Sequence, residues 1–343
     1  MQKLLTIVVP VYKVEPYINK CLDSCLIYKT NEQGEKVLDE ELMNQLEVII
    51  VNDGTPDNSA EMSREYVKRY PQTFRQIDKE NGGHGSAWNV GLKEATGKYL
   101  RFLDSDDWLV NLKRFMIDIS TCEVDLVFTQ LDKYMVEYNE FVRYPVLGDK
   151  NQNKEIDSFP YEQINDYTIC NFQYCTYRTD LLSPFCPLFD EHVFYDDMIL
   201  HVAPILFSKN YIIFDYPLYQ YLIGRSGQTV APDIVKRNIS FNKQEFKKSY
   251  NFYRTHHNKA NEQPQLWAKY VLISHMSQHY ISHMIELPWA DFKNEALQYR
   301  KLITDLGTLP IISKQTRRLV NYPIPIFYLV EKIRRVKNKN SKI

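Results

Sequence analysis

Apolar residues in the first hundred positions fall into short unbroken runs, and between those runs they recur at helical spacing. Leu5–Val9 is a β-branched run stopped by Pro10, and Tyr17–Ile27 sets Ile18, Cys21, Leu22 and Cys25 on one helical face. Lys29–Glu41 is polar and predicts a surface excursion. Glu47–Val51 (EVIIV) predicts a second buried strand ending at Asn52-Asp53-Gly54. A helix carrying Met62, Tyr66 and Val67 follows, which Asp57 or Asn58 can cap. Arg75–Asp78 predicts a short strand, Ser86–Ala95 a helix closed by Gly97, and Tyr99–Leu103 (YLRFL) another strand. Strands that are apolar on both faces and separated by helices predict an α/β fold with a mainly parallel sheet flanked by helices.

From Glu123 to Ile223 short aromatic strands (LVFTQL, YIIFDY) alternate with loops. After Gly224-Arg225-Ser226-Gly227 the pattern turns helical, over Ile234–His256, Pro264–Ile285, Trp289–Leu302 and Lys314–Val320. This divides the chain near Pro232 into a 1–232 domain and a helical 233–343 region. The 1–232 domain has a first half of about 1–110 and a second of about 111–232. An apolar share of 44% and a charged share of 25% over 343 residues exclude disorder, collagen and coiled coil. A net charge of −1 gives no reason to expect a nucleic-acid partner, but the charge is uneven. Residues 314–343 carry nine Lys/Arg against the single acid Glu331, so the rest of the chain is acidic. The six cysteines form no C-x-x-C, which predicts reduced thiols. The N-terminal run is too short and proline-broken for a signal peptide, and no run approaches a membrane span; a cytoplasmic protein is expected.

Open sheets of this kind bind ligands beyond the carboxyl ends of their strands, and the polar clusters lie at those ends. In Asp104-Ser105-Asp106-Asp107 three carboxylates within four residues repel one another unless a cation sits between them. They can offer hard oxygen ligands to Mg²⁺ or Mn²⁺, or form a surface turn that caps a helix. Asp53 beside Gly54 can accept a bond from a base N–H or simply close an Asx-turn. Asn81-Gly82-Gly83-His84-Gly85-Ser86 allows close backbone approach to a ligand and opens a helix. Gly83-x-Gly85 with Asp104 about twenty residues on imitates a dinucleotide fingerprint, but Trp88 stands where its third glycine belongs. No Walker-type phosphate loop occurs. Tyr195-Asp196-Asp197 can supply a general base or a cap. His275, His279 and His283 share a helix face, but no H-E-x-x-H accompanies them, and they read as a half-buried polar stripe.

Together these segments resemble glycosyltransferase family 2, the inverting nucleotide-sugar transferases with a GT-A (Rossmann-like) fold. Val9-Pro10-Val11-Tyr12 is similar to the family's opening strand and turn, with Lys13 where Asn is common. Val51-Asn52-Asp53-Gly54-Thr55, with Asp57 and Ser59, resembles its second element. Asn81-Gly82-Gly83 through Gly97-Lys98-Tyr99 to Phe102-Leu103-Asp104-Ser105-Asp106-Asp107-Trp108 resembles its central signature. The likeness is strong over 4–110, weaker to about 230 and absent beyond.

The resemblance implies that Pro10, Val11 and Tyr12 line the nucleobase and ribose pocket and that Asp53 reads the base edge. Asn81, Gly82 and Gly83 would lie by the ribose or diphosphate. Asp104, with Ser105, would approach the donor, and Asp106 would coordinate the Mn²⁺ or Mg²⁺ cofactor with Asp104. The family's Glu-Asp pair is matched by Asp196-Asp197 with Asp in place of Glu, so Asp197 is the expected catalytic base and Asp196 stays in play. Arg225 would offset diphosphate charge, and Trp88 would pack under the sugar or belong to the core. The implied reaction moves a sugar from a nucleotide-sugar donor, UDP by family habit, to a hydroxyl of a glycan or lipid-linked acceptor in surface-polysaccharide synthesis. The basic tail, beginning with Tyr322-Pro-Ile-Pro-Ile-Phe-Tyr-Leu-Val330, is expected either to rest on an anionic inner leaflet or to pack on the body. Two alternatives remain at this point. A sugar nucleotidyltransferase would show a glycine-rich basic loop after the first strand, and a non-catalytic GT-A-like module would lack the Asp104 and Asp106 carboxylates.

Overall fold

The computed structural model describes residues 3–144, 153, 155–156, 171–225, 228, 238–276, 281, 284–285, 287–307 and 314–340. The expected boundary near Pro232, Ser226, Gly227 and Thr229 of the glycine loop, and the side chains of the His275/His279/His283 stripe lie outside the described residues.

Leu5–Val11, Leu46–Asp53, Phe74–Lys79 and Tyr99–Phe102 form four parallel neighbours, with Leu5–Val11 between Tyr99–Phe102 and Leu46–Asp53. Every residue of Leu5–Val11 and Leu46–Asp53 is buried, because helices cover both faces. Pro10 lacks an N–H, and it lies past Val8, the last residue paired to Phe102, so no ladder bond on that side is lost. Helix His84–Glu94 crosses these strands closely. A Cβ on Gly91 would stand 2.1 Å from Val8 Cγ1, so only glycine permits that packing. Trp88 on the same helix is fully buried and stacked on Phe102 at 4.4 Å, which makes it core.

The far half of the sheet is mixed. Cys175–Arg178 runs antiparallel between Tyr99–Phe102 and Leu126–Met135, and Tyr211–Ile223 pairs parallel to Leu126–Met135. Trp108–Leu109 and Glu140–Tyr144 add short antiparallel edges. The parallel pairs of the mainly parallel sheet expected from the sequence are its first four strands and one pair beyond them.

Helices Ile239–His256, Glu262–Tyr270, Trp289–Leu306, Lys314–Asn321 and Ile324–Asn340 make up the C-terminal region. Trp267, fully buried, packs near Phe128 and Tyr211 and so joins these helices to the sheet. On helix Ile239–His256, Lys248 Nζ lies 2.7 Å from Asp190 Oδ1 and Gln244 Nε2 donates to Asp190 Oδ2 at 3.0 Å. The loop leading to Asp196 is therefore held from the helical side.

Candidate active site

The carboxyl ends of Leu5–Val11, Leu46–Asp53 and Tyr99–Phe102 open on one side of the sheet, and the loops there are tied to each other. Lys13 N donates to Thr55 Oγ1 at 2.8 Å, and Val14 N to Ser59 Oγ at 3.1 Å. Asp57 Oδ1 accepts from Thr55 Oγ1, Ser59 N and Ser59 Oγ, and these bonds outweigh its burial and hold its carboxyl below the usual range. Asn58 holds the N-cap position of the helix Ser59–Arg69 without a side-chain cap bond, and Asp57 supplies the carboxylate that receives the first helical N–H. Pro10 and Val11 are buried in their strand, whereas Tyr12 is 43% exposed at the mouth.

Asp53, expected at a base edge, is only 3% exposed. Its Oδ1 accepts from Lys79 Nζ at 2.8 Å and Gly82 N at 2.9 Å. Its Oδ2 accepts from Gly83 N at 2.8 Å and Asn81 Nδ2 at 3.0 Å. These four donors fill the carboxylate's lone-pair directions. The glycine loop is folded around this one side chain. Gly83 has φ +86°, and Gly82 O accepts from His192 N at 2.8 Å, which brings the 188–197 segment to the loop. Asn89 strengthens that approach, because its Oδ1 accepts from Leu188 N and Phe189 N and its Nδ2 donates to Phe189 O.

Asp104, Asp106 and Asp107 each place an oxygen within 4.8 Å of the others, but their surroundings differ. Asp107 accepts from Tyr219 Oη at 2.6 Å and from Leu222 N at 2.8 Å, and it is buried. Both its oxygens are engaged, with one bond each, and it anchors the strand before Arg225. Asp104 N donates to the same Tyr219 Oη at 3.2 Å. Asp106 is half-buried and ion-paired to Arg225 Nε. Burial and the Asp104 charge push the Asp106 carboxyl up against the pull of Arg225, and burial with both neighbours pushes Asp107 up further. Ser105 is buried between them. A dication fits this corner chemically: two acids with free oxygens, Asp104 and Asp106, repel each other, and a guanidinium already lies on one of them.

Asp196 and Asp197 open the 3₁₀ turn Asp196–His201. Asp196 is buried and both its oxygens face His84 Nδ1, at 3.0 and 3.2 Å. His84 Nε2 is 3.0 Å from Asp104 Oδ1. Burial alone would lower the His84 pKa, but the Asp196 and Asp104 carboxylates outweigh it and hold the imidazole well above its ordinary value. Asp197 is half-buried; burial first, then the Asp196 charge, raises its carboxyl to about 7. The structure thus brings Asp53, Asn81, Gly82, Gly83, Asp104, Ser105, Asp106, Asp196, Asp197 and Arg225 together at the carboxyl end of the sheet. It adds His84 and Tyr219, to which the sequence reading assigned no role.

The family model for "Glycosyl transferase family 2" matches residues 6–180, half of the chain. The uncharacterized glycosyltransferase EpsJ of Bacillus subtilis is 41% identical over 109 residues, which are 32% of this chain and 28% of that protein. Glycosyltransferase GlyA of Streptococcus pneumoniae is 27% identical over 234 residues, 64% of this chain and 31% of that protein. The chain therefore spans less than a third of the length of either relative. Among solved structures, S. aureus TarS 1–349 in complex with UDP-GlcNAc superposes with a TM-score of 0.68 at 17% identity, over 97% of this chain and 92% of that one. This likeness establishes the GT-A fold, with its curled central sheet and helical C-terminal region. With the matched family model lying over every strand-end cluster described above up to Asp107, the chain belongs to glycosyltransferase family 2.

Proposed function

We propose that the protein is an inverting, metal-dependent glycosyltransferase that moves a sugar from a nucleotide-sugar, with UDP as the nucleotide, to a hydroxyl of a surface-glycan or lipid-linked acceptor. The observation that carries this reading is the acid pair Asp104 and Asp106, linked through His84 to Asp196, whose neighbour Asp197 has its carboxyl raised to about 7. Support for UDP comes from TarS, whose structure holds UDP-GlcNAc. Support for polysaccharide synthesis comes from relatives such as the minor teichoic acid biosynthesis protein GgaB of Bacillus subtilis, 34% identical over 102 residues, 30% of this chain and 10% of that protein.

In this mechanism Tyr12 lines the nucleoside pocket, with the buried Pro10 and Val11 packed behind it, and Asp53 acts through the glycine loop, holding Asn81, Gly82 and Gly83 beside the ribose and diphosphate. Asp104 and Asp106 would hold the Mn²⁺ or Mg²⁺, which when bound offsets the charge of the departing diphosphate as a Lewis acid. Asp197 takes the proton of the acceptor hydroxyl as that oxygen attacks C1 from the face opposite the diphosphate, and a single displacement inverts the centre. Near pH 7 a carboxyl of this kind is partly ionised and still basic enough to accept a proton, which is the compromise a general base needs. Burial first, and the charge of Asp196 after it, keep Asp197 raised. Incubation with Mn²⁺ and a panel of sugar nucleotides, scored for nucleoside diphosphate release, tests the reading; no release from any donor overturns it.

Arg225 is already seated on Asp106, so it competes with a dication for that carboxylate. Arg225→Gln is expected to raise the Mn²⁺ affinity of the nucleotide-free protein about two- to five-fold, the scale of a partly exposed ion pair. Electron paramagnetic resonance titration of free Mn²⁺ measures this, and an unchanged or weaker affinity contradicts the competition.

The reading extends to the membrane surface, at the cytoplasmic face where lipid-linked acceptors are charged. No helix among the described residues is long and apolar enough to cross a bilayer. The last helix nevertheless exposes Ile326, Leu329 and Ile333 at 50%, 60% and 47%, in line with Tyr322, while Ile324 and Phe327 face the core. Its one acid, Glu331, is buried and ion-paired to Arg318 of the preceding helix. An apolar stripe beside cations suits an anionic interface. The protein is expected to float with phosphatidylglycerol-containing vesicles and not with pure phosphatidylcholine, and to lose flotation on joint replacement of Ile326, Leu329 and Ile333 by Ser. Equal recovery from both vesicle types, or an unaffected triple variant, contradicts the contact.

A further inference from the structure

His84 opens helix His84–Glu94, and its ring lies between two carboxylates that arrive from distant parts of the chain. Nε2 meets Asp104 Oδ1 at 3.0 Å on the donor side, and Nδ1 meets Asp196 Oδ2 at 3.0 Å on the side of the base. The ring has little freedom. Trp88, one turn on, packs against it with ring centroids 4.1 Å apart, and Trp88 is itself locked in the core against Phe102, Phe172 and Phe189. Gly83, at φ +86°, sets the chain direction into the helix. Gly85 clears the approach: a Cβ there would stand 2.3 Å from Asp190 O and 2.7 Å from Asp196 Oδ2. Close contact between the start of this helix and the Asp196 segment is therefore built into the glycines as well as into the imidazole.

We propose that His84 is a positioning residue that spaces the donor-side carboxylate Asp104 from the Asp196–Asp197 pair, holding the donor and the base in one rigid frame. The proposal rests on the glycosyltransferase reading. In-line displacement needs the acceptor oxygen, C1 and the departing oxygen aligned, and a misplacement of about 1 Å can cost about 10²-fold in rate. Asp197 has the chemistry of a base, but its place relative to the donor is set by its chain neighbour Asp196. A bond from His84 to each side removes the slack between two segments whose sequence positions do not constrain one another.

Two substitutions separate the two ends of the ring. In His84→Asn the amide nitrogen reaches about where Nδ1 stands and keeps the Asp196 contact alone. In His84→Gln it reaches about where Nε2 stands and keeps the Asp104 contact alone. UDP affinity in the presence of Mn²⁺ is measured by calorimetry. The kcat and KM are measured with the sugar nucleotide that the panel shows to be turned over fastest, and thermal midpoints check folding. His84→Gln is expected to bind UDP with Mn²⁺ within two-fold of wild type and to lose about 10²-fold in kcat at unchanged KM. His84→Asn is expected to weaken UDP–Mn²⁺ binding about five- to ten-fold and to raise donor KM, with the smaller loss in kcat. Equal losses in both variants, or wild-type kcat in His84→Gln, overturn the proposal, because a general packing role does not distinguish the two ends. If one variant fails to fold, the other still has its own expected profile and decides alone. If the wild type releases nucleotide from no donor, the functional reading fails, and the UDP–Mn²⁺ titrations still judge the spacing role: identical affinities in the two variants overturn it.

Discussion

Asp106→Asn is expected to lower sugar transfer by about 10³-fold while the protein keeps its wild-type stability or gains slightly. The loss follows from the carboxylate's position. Asp106 is placed with Asp104 to offer hard oxygens to the dication that would offset the charge developing as the diphosphate leaves. Stability moves the other way because the charge is unwelcome in the free protein: burial and Asp104 push this carboxyl up. The amide removes that repulsion at the same volume, and it gives up only a partly exposed pair with Arg225. Turnover assays with thermal unfolding measure both. Near-normal turnover, or a large drop in midpoint that explains the lost activity, contradicts this role. Asp107→Asn makes a structural contrast, since Asp107 is committed to Tyr219 and Leu222 and its replacement acts on folding first.

Asp197→Asn is expected to cost about 10²–10⁴-fold in kcat, the range of general base catalysis, with donor KM and UDP affinity unchanged. The pH profile identifies the group more specifically than the loss of rate. With the carboxyl raised to about 7, it is protonated and inactive as a base below that pH and ionised above it. Wild-type kcat/KM, which reports the free enzyme, should therefore rise about tenfold per pH unit on the acid side and level off above about 7. In Asp197→Asn the residual rate should lose this limb. A limb that persists in Asp197→Asn and vanishes in Asp196→Asn would move the base to Asp196. The structure argues against that outcome, because both Asp196 oxygens are turned to His84.

The first four parallel strands and the acids at their ends were readable in the sequence for a common reason. A strand covered by helices on both faces is apolar at nearly every position, so EVIIV and YLRFL stand out, and a carboxylate directly after such a run has few purposes. The mixed far half was not readable. Cys175–Arg178 inserts antiparallel between two longer strands, and nothing in its short pattern encodes its neighbours. The division of labour among Asp104, Asp106 and Asp107 was equally hidden, because it depends on Tyr219, 112 residues from Asp107. Asp53 shows the same limit in reverse. Its place beside Gly54 was evident, but its use as the post around which Asn81–Gly83 fold comes from contacts about thirty residues away. His84 sat in full view within the glycine loop, yet its two partners lie 20 and 112 residues off. Trp88, which left a sugar platform and a core position both open, proved to be the packing behind that imidazole.

The central claim is that Asp104 and Asp106 hold a divalent cation against the diphosphate of the donor. A crystal structure of the protein with UDP and Mn²⁺ tests it most directly. The account predicts anomalous density for Mn²⁺ within bonding distance of a carboxylate oxygen in that corner and of the diphosphate, with Arg225 moved off Asp106. Bound UDP with no ion there, or an ion held elsewhere while the Arg225–Asp106 pair stays intact, would contradict it.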